Sequence, residues 1–291
     1  MDLKVLYSMK DPLGLVRVIR PVNSLMVGFA IIVGAIIGGG DSLFDTPVSL
    51  LYAFLTGFAL SGSAMAINDY YDREIDAINE PNRPLPSGAI TPREAYIWSL
   101  FLAVVGLVFS YMNSQTHLAL ASIAWAAFWY YSSRGKKTGL LGNMIVSVSV
   151  SLPFIYGGLI VGGNSAVSSL IFSMIAFLTN TGREITKGIV DIEGDKKVGV
   201  QTVAVSRGAR TAAIASAILY VSAVLSSIIP VYLGVVSNWY IIPVALTDIG
   251  LIYLSISIFK DFSRENSRKV KNIVRLLMLV GMLGFLAGSL M

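Results

Sequence analysis

Long apolar runs recur along the chain and are separated by charged, proline-containing or glycine-containing segments. A helix needs roughly 20 consecutive apolar residues to cross the hydrocarbon core of a membrane. By this criterion the pattern predicts nine transmembrane helices, at residues 22–40, 47–70, 93–112, 116–132, 140–162, 166–188, 211–233, 239–259 and 272–290. The predicted fold class is therefore an all-α, polytopic membrane protein.

The first 20 residues differ from the rest because they carry four basic side chains and no apolar run long enough to cross a membrane. No small-residue cleavage site follows them, so we expect no cleavable signal peptide. We expect residues 1–20 to form an interfacial segment at the membrane surface. The whole of residues 1–291 is then a single integral-membrane domain.

Composition agrees with this prediction, since 55% of the residues are hydrophobic, 13% are charged and the mean hydropathy is +0.71. Soluble domains average about 25% charged residues, and a water-soluble fold is therefore excluded. The absence of Cys from the sequence excludes disulfides and thiol catalysis. A single His, His117, excludes the usual His-rich zinc sites.

All 22 Lys and Arg residues lie before the first predicted helix or in the segments after helices two, four, six and eight. Basic residues accumulate on the cytoplasmic side of membrane proteins. We therefore expect the N-terminus and the long loops to be cytoplasmic, and the C-terminus to lie on the opposite side of the cell membrane. The net charge of +5 then reflects topology and anionic ligands, and we infer no nucleic-acid partner.

The densest group of acidic residues follows the second predicted helix, in the sequence Asn-Asp-Tyr-Tyr-Asp-Arg-Glu-Ile-Asp at residues 68–76. If that helix continues through this motif, Asn68, Asp72 and Asp76 share one face. An amide oxygen and two carboxylates suit Mg²⁺ better than a softer metal. The alternative is a solvated helix end whose acidic residues bind nothing.

A second acidic motif occurs at the cytoplasmic end of the sixth predicted helix, where Lys187, Asp191 and Asp195 are again four residues apart. Two such rows on different helices could face one another across a cavity and hold metal ions between them. Mg²⁺ held in this way bridges carboxylates to diphosphate oxygens, while Lys and Arg neutralise the remaining charge.

Candidates for binding phosphate oxygens lie in the loops next to these motifs, and they are Arg83, Arg134, Lys136, Lys137 and Lys187. The charge bias of cytoplasmic loops could explain each of them equally well. Arg83 and Lys187 are the stronger candidates because they are embedded in the acidic motifs. The loop at residues 81–92 contains four prolines, which suits either a lid over the cytoplasmic mouth or a rigid connector.

The motif at residues 68–76 resembles the NDxxDxxxD signature of UbiA-type intramembrane prenyltransferases, and residues 191–195 resemble the family's second, DxxxD-type motif. The sequences at 20–23, 82–88 and 131–137 also match, so the resemblance covers nearly the whole chain. It implies nine transmembrane helices around a central cavity, with a cytoplasmic cap formed by the loops after helices 2, 4 and 6. It also implies Mg²⁺-dependent transfer of a polyprenyl group from its diphosphate to an acceptor.

The resemblance also implies a role for each matching residue. The Mg²⁺ ligands, whose four carboxylates are also the expected catalytic groups, would be Asn68, Asp72, Asp76, Asp191 and Asp195. The residues that bind phosphate oxygens would be Arg20, Arg83, Arg134, Lys136 and Lys187. Asp69 would have a supporting role, and the substrate contacts would be Asn23, Tyr130 and Tyr131. Either tyrosine ring could stabilise an allylic cation or serve as an interfacial anchor.

Residues 72–90 are similar to two branches of the family, the enzymes of archaeal ether-lipid synthesis and the chlorophyll synthases. The sequence at residues 183–195 favours the ether-lipid branch. That branch implies geranylgeranyl diphosphate as donor and the free hydroxyl of geranylgeranylglyceryl phosphate as acceptor. A tetrapyrrole or an aromatic quinone precursor is the alternative acceptor. Gly188 departs from the pattern, because many such enzymes carry an additional acid there.

An ion-coupled transporter is the hypothesis from another class of protein, and it would place acidic residues at mid-membrane on broken helices. Only Asp248 is expected deep inside a predicted helix, where a hydrogen-bonded packing role also explains it. His117 is expected on the outer side, too far from the acidic motifs to act as a base. The expected partners are the two lipid substrates and the bilayer, and no obligate protein partner is inferred.

Overall fold

The computed structural model describes residues 12–39, 46–161, 165–197 and 199–290, and every regular element within these ranges is a helix. The α-helices are α1 (Pro12–Val18), α2 (Pro21–Gly39), α3 (Pro47–Asn79), α4 (Pro92–Asn113), α5 (Gln115–Ser133), α6 (Leu140–Val161), α7 (Ser165–Val190), α8 (Ile192–Lys197), α9 (Val203–Arg207), α10 (Ala209–Ser226), α11 (Ile229–Tyr232), α12 (Ile241–Lys260) and α13 (Arg264–Leu290). Short 3-10 helices at Gly135–Thr138 and Asn238–Tyr240 precede α6 and α12. The all-α prediction is confirmed for the described residues.

Seven helical segments of the described chain are long and apolar enough to cross a membrane, judged by length and composition. They are Pro21–Gly39, Pro47–Glu74, Pro92–Asn113, Leu140–Val161, Ala209–Tyr232, Asn238–Lys260 and Arg264–Leu290. Helices α5 and α7 occupy two further predicted positions but are not among the seven. A multi-pass membrane protein is therefore supported, and nine membrane crossings stay a prediction.

Two helices extend beyond their predicted ends into charged sequence. Helix α3 continues to Asn79, and α13 already begins at Arg264. A hydropathy criterion marks where apolar side chains end, whereas helical hydrogen bonds can continue through charged turns. The first acidic motif is consequently helical throughout, as its spacing required. The predicted interfacial segment falls partly on α1, and residues 1–11 lie outside the described residues.

The described chain divides into two compact units, and the first comprises residues 12–29 and 51–133. Its core includes Val18, Ile90 and Ala95, which belong to one buried apolar cluster. The indole Nε1 of Trp98 donates a hydrogen bond to the carbonyl oxygen of Leu15 at 3.1 Å. These contacts dock the short helix α1 on α4.

A buried hydrogen-bonded group joins three helices of the first unit. The hydroxyl of Ser99 on α4 donates to the carbonyl oxygen of Ser63 on α3 at 2.9 Å, and the two hydroxyl oxygens are 3.1 Å apart. Trp125 Nε1 on α5 donates to Ser63 Oγ at 3.1 Å. Such interhelical hydrogen bonds are worth roughly 1 kcal/mol in a membrane and fix the register of the helices.

The second unit contains the remaining described residues, and its core includes aromatic rings in edge-to-face and tilted contact. The ring of Phe172 contacts those of Phe154 and Phe285 at centroid distances of 4.7 and 4.6 Å. Tyr240 contacts Phe285 at 4.9 Å. Aromatic pairs in this geometry contribute about 0.5–1.5 kcal/mol beyond their area burial.

Asp248, the acidic residue expected deep inside a predicted helix, has a hydrogen-bond donor in the second unit. The hydroxyl of Ser227 donates to Asp248 Oδ2 at 2.7 Å, and the hydroxyl of Tyr240 donates to the carbonyl oxygen of Ser227 at 2.6 Å. The predicted hydrogen bonding of Asp248 is confirmed. Asp248 ties the end of α10 to α12.

Two glycines in the second unit allow α2 and α6 to touch along their backbones. A Cβ atom at Gly157 would overlap the carbonyl oxygen of Ile31, and one at Gly34 would overlap the backbone of Phe154. Small residues that permit such close approach are a common means of helix association in membranes.

Gly157→Ala should therefore destabilise the protein, because its methyl group meets backbone rather than a movable side chain. Overpacking of this kind costs about 1–3 kcal/mol, which lowers the melting temperature by several degrees. The measurement is a thermal unfolding curve of the purified protein in detergent. Gly281→Ala is the matched control, because its Cβ would meet Thr247 Cγ2 at an ordinary 3.4 Å. Equal melting temperatures for the two variants would contradict the close approach.

Candidate functional site

The first acidic motif occupies the C-terminal turns of α3, in the first unit. The amide nitrogen of Asn68 donates a hydrogen bond to Asp72 Oδ2 at 2.9 Å, and both side chains are half-buried. These two residues therefore share a face and are in contact, as the four-residue spacing predicts. Carboxylate and amide oxygens on this face are chemically suited to a hard divalent cation.

Asp69 is the most deeply buried acidic residue of this motif, with only 2% of its surface exposed. Arg20, which lies between α1 and α2, donates from Nη2 to Asp69 Oδ1 at 2.5 Å. Nη1 of Arg83, in the loop after α3, lies 3.7 Å from the same oxygen. Two guanidinium groups from separate segments thus meet one buried carboxylate.

Arg83 also pairs with Asp76, donating from Nη1 to Asp76 Oδ2 at 2.6 Å. The expected stack of Asn68, Asp72 and Asp76 on one face is therefore incomplete, because Asp76 is buried against Arg83. The reason is the helical period of 3.6 residues, by which positions seven apart differ by only about 20°. Asp76 consequently lies closer to the face of Asp69 than to that of Asn68.

The backbone of Arg20 is in the left-handed region, with a φ of 47°. Among the described residues it is the single non-glycine residue with a positive φ. This conformation costs about 1–2 kcal/mol for a residue with a side chain. Hydrogen bonds from the Arg20 amide to the Arg17 carbonyl and from the Ser24 amide to the Arg20 carbonyl, at 3.0 and 3.1 Å, hold the turn. The turn keeps the Arg20 side chain on α3.

Five aromatic rings from α3, α4 and α5 form a cluster next to the first motif in the first unit. Its members are Tyr70, Tyr71, Tyr96, Trp125 and Trp129, with centroid distances of 5.1 to 6.5 Å between contacting rings. This aromatic cluster was missed from the sequence. The available signal was the pair of tyrosines inside the motif and two tryptophans four residues apart on α5.

The two tyrosines that were predicted as substrate contacts lie outside this cluster. Tyr130 is 43% exposed, and the ring of Tyr131 contacts Phe128 at a centroid distance of 5.8 Å. Asn23 is exposed in the first turn of α2. Their predicted roles stay predictions.

The second motif lies at the C-terminal end of α7 and in α8, in the second unit. Backbone hydrogen bonds from the Asp191 amide to the Lys187 carbonyl and from the Asp195 amide to the Asp191 carbonyl continue the helical path. Burial raises the pKa of the Asp195 carboxyl, and the charge of Asp191 raises it further. A hydrogen bond with Thr202 and the charge of Lys187 act in the opposite direction. Two like charges are therefore held close together here.

Two residues preceding Lys187 on α7 were missed from the sequence. Arg183 Nη1 donates to Glu184 Oε1 at 2.7 Å, and Lys187 Nζ lies 3.6 Å from Glu184 Oε2. Arg183 Nε is buried and has no hydrogen-bond partner among the described residues. The available signal was three charged residues at helical spacing on a predicted transmembrane helix.

The end of α7 is also fixed from a distant part of the second unit. Arg264 Nε, at the start of α13, donates to the carbonyl oxygen of Val190 at 3.1 Å. A helix C-terminus leaves its last carbonyl groups without intrahelical partners and favours a cation there. Asp191 follows Val190 directly, so this hydrogen bond restrains the backbone that carries the second motif.

The remaining predicted residues lie on α5 and on the segment that follows it. Arg134 is exposed before the 3-10 helix at Gly135–Thr138, and Lys136 is half-buried within that helix. His117 is buried at the start of α5, with Nδ1 at 2.7 Å from the Ser114 hydroxyl oxygen. In the part of the chain that the structure describes, no three His, Cys, Asp or Glu side chains are grouped so that they could hold a metal ion.

Comparison with known proteins gives consistent matches over most of the chain. Residues 26–282 match the sequence profile of the UbiA prenyltransferase family. The chain is 33% identical over 275 residues to the digeranylgeranylglyceryl phosphate synthase of Archaeoglobus fulgidus. The aligned region covers 93% of each chain.

Solved structures give the same result. This chain superposes with a TM-score of 0.87 on a solved structure that bears on digeranylgeranylglyceryl phosphate synthase in membranes. The two sequences are 31% identical, and the match covers 95% of this chain and 97% of the other. A UbiA homolog from Archaeoglobus fulgidus bound to GPP and Mg²⁺ superposes with a TM-score of 0.66, and the match covers 94% of this chain and 99% of the other. At 18% sequence identity, this similarity is evidence for a shared fold only. The chain therefore belongs to the UbiA prenyltransferase family.

Proposed function

We propose that this protein transfers a geranylgeranyl group from geranylgeranyl diphosphate to the free hydroxyl of geranylgeranylglyceryl phosphate, releasing diphosphate, in ether-lipid synthesis. The observation that carries this proposal is the similarity, over 93% of both chains, to a relative named for that product. The guanidinium groups of Arg20 and Arg83 at the first motif support a phosphate-bearing substrate. A tetrapyrrole or aromatic acceptor is the alternative that the experiment below tests.

A divalent cation, Mg²⁺, is part of this proposal, and two observations support the fit of the chain's residues. Asn68 and Asp72 are in contact on one face of α3. The charge of Asp191 raises the pKa of Asp195, and a cation bound between them would relieve that repulsion. A related UbiA homolog was solved with Mg²⁺ and GPP. When bound, Mg²⁺ would neutralise the diphosphate and make it a better leaving group.

Asp76 differs from these four residues because Arg83 holds its carboxylate. Asp76 is proposed as a fifth ligand, and Arg83 would then bind a diphosphate oxygen beside it. A guanidinium group has five N–H donors, so Arg83 can contact a phosphate and a carboxylate through different edges. Arg134, Lys136 and Lys187 are proposed to bind further phosphate oxygens.

Loss of diphosphate leaves positive charge on the allylic carbon, which must be shielded from water. The aromatic cluster is suited to this task, because ring faces attract a cation. Tyr71 is the cluster member that follows Asn68 by three positions and so lies on the same side of α3. We propose it, in addition to Tyr130 and Tyr131, as a contact for the allylic end of the donor.

The proposed reaction is tested with purified protein, labelled geranylgeranyl diphosphate, Mg²⁺ and three acceptors in separate reactions. Geranylgeranylglyceryl phosphate should become labelled, and chlorophyllide and an aromatic acid should not. Chelation of the metal with EDTA should stop the transfer. Labelling of the aromatic acid alone would refute the ether-lipid assignment and leave the family assignment intact.

Substitution of either acidic motif should abolish the transfer. Asp72→Ala or Asp191→Ala removes a carboxylate from the proposed metal site, and we expect turnover to fall by roughly 100-fold or more. Glu265→Ala is the matched control, because Glu265 is an exposed acid that pairs with Lys269 on α13. Turnover of either motif variant close to that of the control would rule out the metal site.

The proposed topology places the first motif and its loop in the cytoplasm and the segment before α12 outside. The natural sequence has no Cys, so single cysteines can be introduced without background labelling. Ser87→Cys and Asn238→Cys both change exposed residues. A membrane-impermeant maleimide should label Asn238→Cys in intact cells and Ser87→Cys only after permeabilisation. The reverse pattern would invert the topology.

A further inference from the structure

Asp69 is the feature of the first motif that metal binding does not explain. Its carboxylate is almost completely buried, whereas the Arg20 and Arg83 side chains above it are 31% and 30% exposed. A buried carboxylate is stable only when opposite charges and hydrogen bonds compensate its lost hydration. Here both compensating groups come from outside α3, so the carboxylate fixes the place of two separate segments.

Two further contacts of Arg20 indicate that its ion pair with Asp69 is part of the folded structure. Its short contact with Asp69 Oδ1 is accompanied by a contact of Nη1 with Met65 Sδ at 3.5 Å. The left-handed backbone at Arg20 costs free energy, and a charge-assisted hydrogen bond to a buried partner offsets such a cost.

The position of Asp69 on α3 separates it from the residues suited to a metal ion. Asn68 and Asp72 contact each other on one face, whereas Asp69 Oδ1 already receives a hydrogen bond from Arg20. A cation bound at that oxygen would lie against a guanidinium group, which like charge disfavours.

We propose that Asp69 is a positioning residue that holds the guanidinium groups of Arg20 and Arg83 for the diphosphate and is not itself a ligand of the metal. This inference rests on the proposed function. Asp69 acts through the two arginines, so its loss weakens the binding of the prenyl diphosphate. The affinity for Mg²⁺, set by other carboxylates, is not altered.

Asp69→Asn is the first test, because it keeps the shape of the side chain and removes its charge. Loss of charge-assisted hydrogen bonds of this kind should raise the KM of Asp69→Asn for geranylgeranyl diphosphate by roughly 10- to 100-fold. The Mg²⁺ concentration for half-maximal activity should equal that of the wild type. In Asp72→Asn, the comparison variant, that Mg²⁺ concentration should rise instead. A rise in the Mg²⁺ requirement of Asp69→Asn with unchanged KM would overturn the inference.

A triple variant, compared with the variant that lacks only the two arginines, tests whether Asp69 acts through them. Asp69→Asn should add little to the KM of Arg83→Gln and Arg20→Gln combined, because its partners are already lost. A full additional increase would contradict the inference. If Asp69→Asn does not fold, Asp69→Glu replaces it, since it keeps the charge and displaces the carboxylate. The KM of Asp69→Glu for geranylgeranyl diphosphate should be higher than that of the wild type. An unchanged KM would contradict the proposed positioning role of Asp69.

The same experiments separate this inference from the proposed function. Failure of the wild type to transfer geranylgeranyl to geranylgeranylglyceryl phosphate refutes the proposed function. The role of Asp69 is then measured by calorimetric titration of the wild type and Asp69→Asn with Mg²⁺ and inorganic diphosphate. Weaker diphosphate binding by the variant supports the inference, and equal binding refutes it.

Discussion

The hydrocarbon interior of a membrane offers no hydrogen-bond partners to the peptide backbone, so a segment that crosses it must satisfy its own N–H and C=O groups. Every regular element of the described chain is accordingly a helix. The same constraint acts on side chains within the apolar helices. Ser63, Ser99 and Trp125 bond to one another, and Asp248 accepts a hydrogen bond from Ser227. Each of these bonds also links two helices, so polar groups fix the register of an otherwise apolar bundle.

Charge is organised differently in the two acidic motifs. In the first motif the carboxylates of Asp69 and Asp76 are matched by guanidinium groups, and charge is nearly balanced without any ligand. In the second motif Asp191 and Asp195 stand close together, and their repulsion contributes to the raised pKa of Asp195. The first motif is therefore preorganised by its own ion pairs, whereas the second gains most from an added cation.

Apolar runs were sufficient to predict where the long helices lie, because the length of a run and the thickness of a membrane are directly related. The four-residue spacing also predicted that α3 continues through the first motif and that Asn68 meets Asp72. The partner of Asp76 could not be predicted in this way, since helical periodicity fixes angles within one helix and not the segments that approach it. The aromatic cluster and the contact of Arg264 depend on the packing of three helices or of distant segments, so neither follows from local sequence.

The hydrogen bond from Arg264 to Val190 makes the end of α7 depend on α13, the last helix of the chain. The donor is 74 residues later in the chain than the acceptor. During synthesis, the end of α7 therefore leaves the ribosome long before the side chain that restrains it. Until α13 is present, the Val190 carbonyl group lacks the Arg264 donor, and the backbone next to Asp191 lacks this restraint. The backbone next to Asp191 can therefore reach the restraint seen in the structure only after α13 has been synthesised.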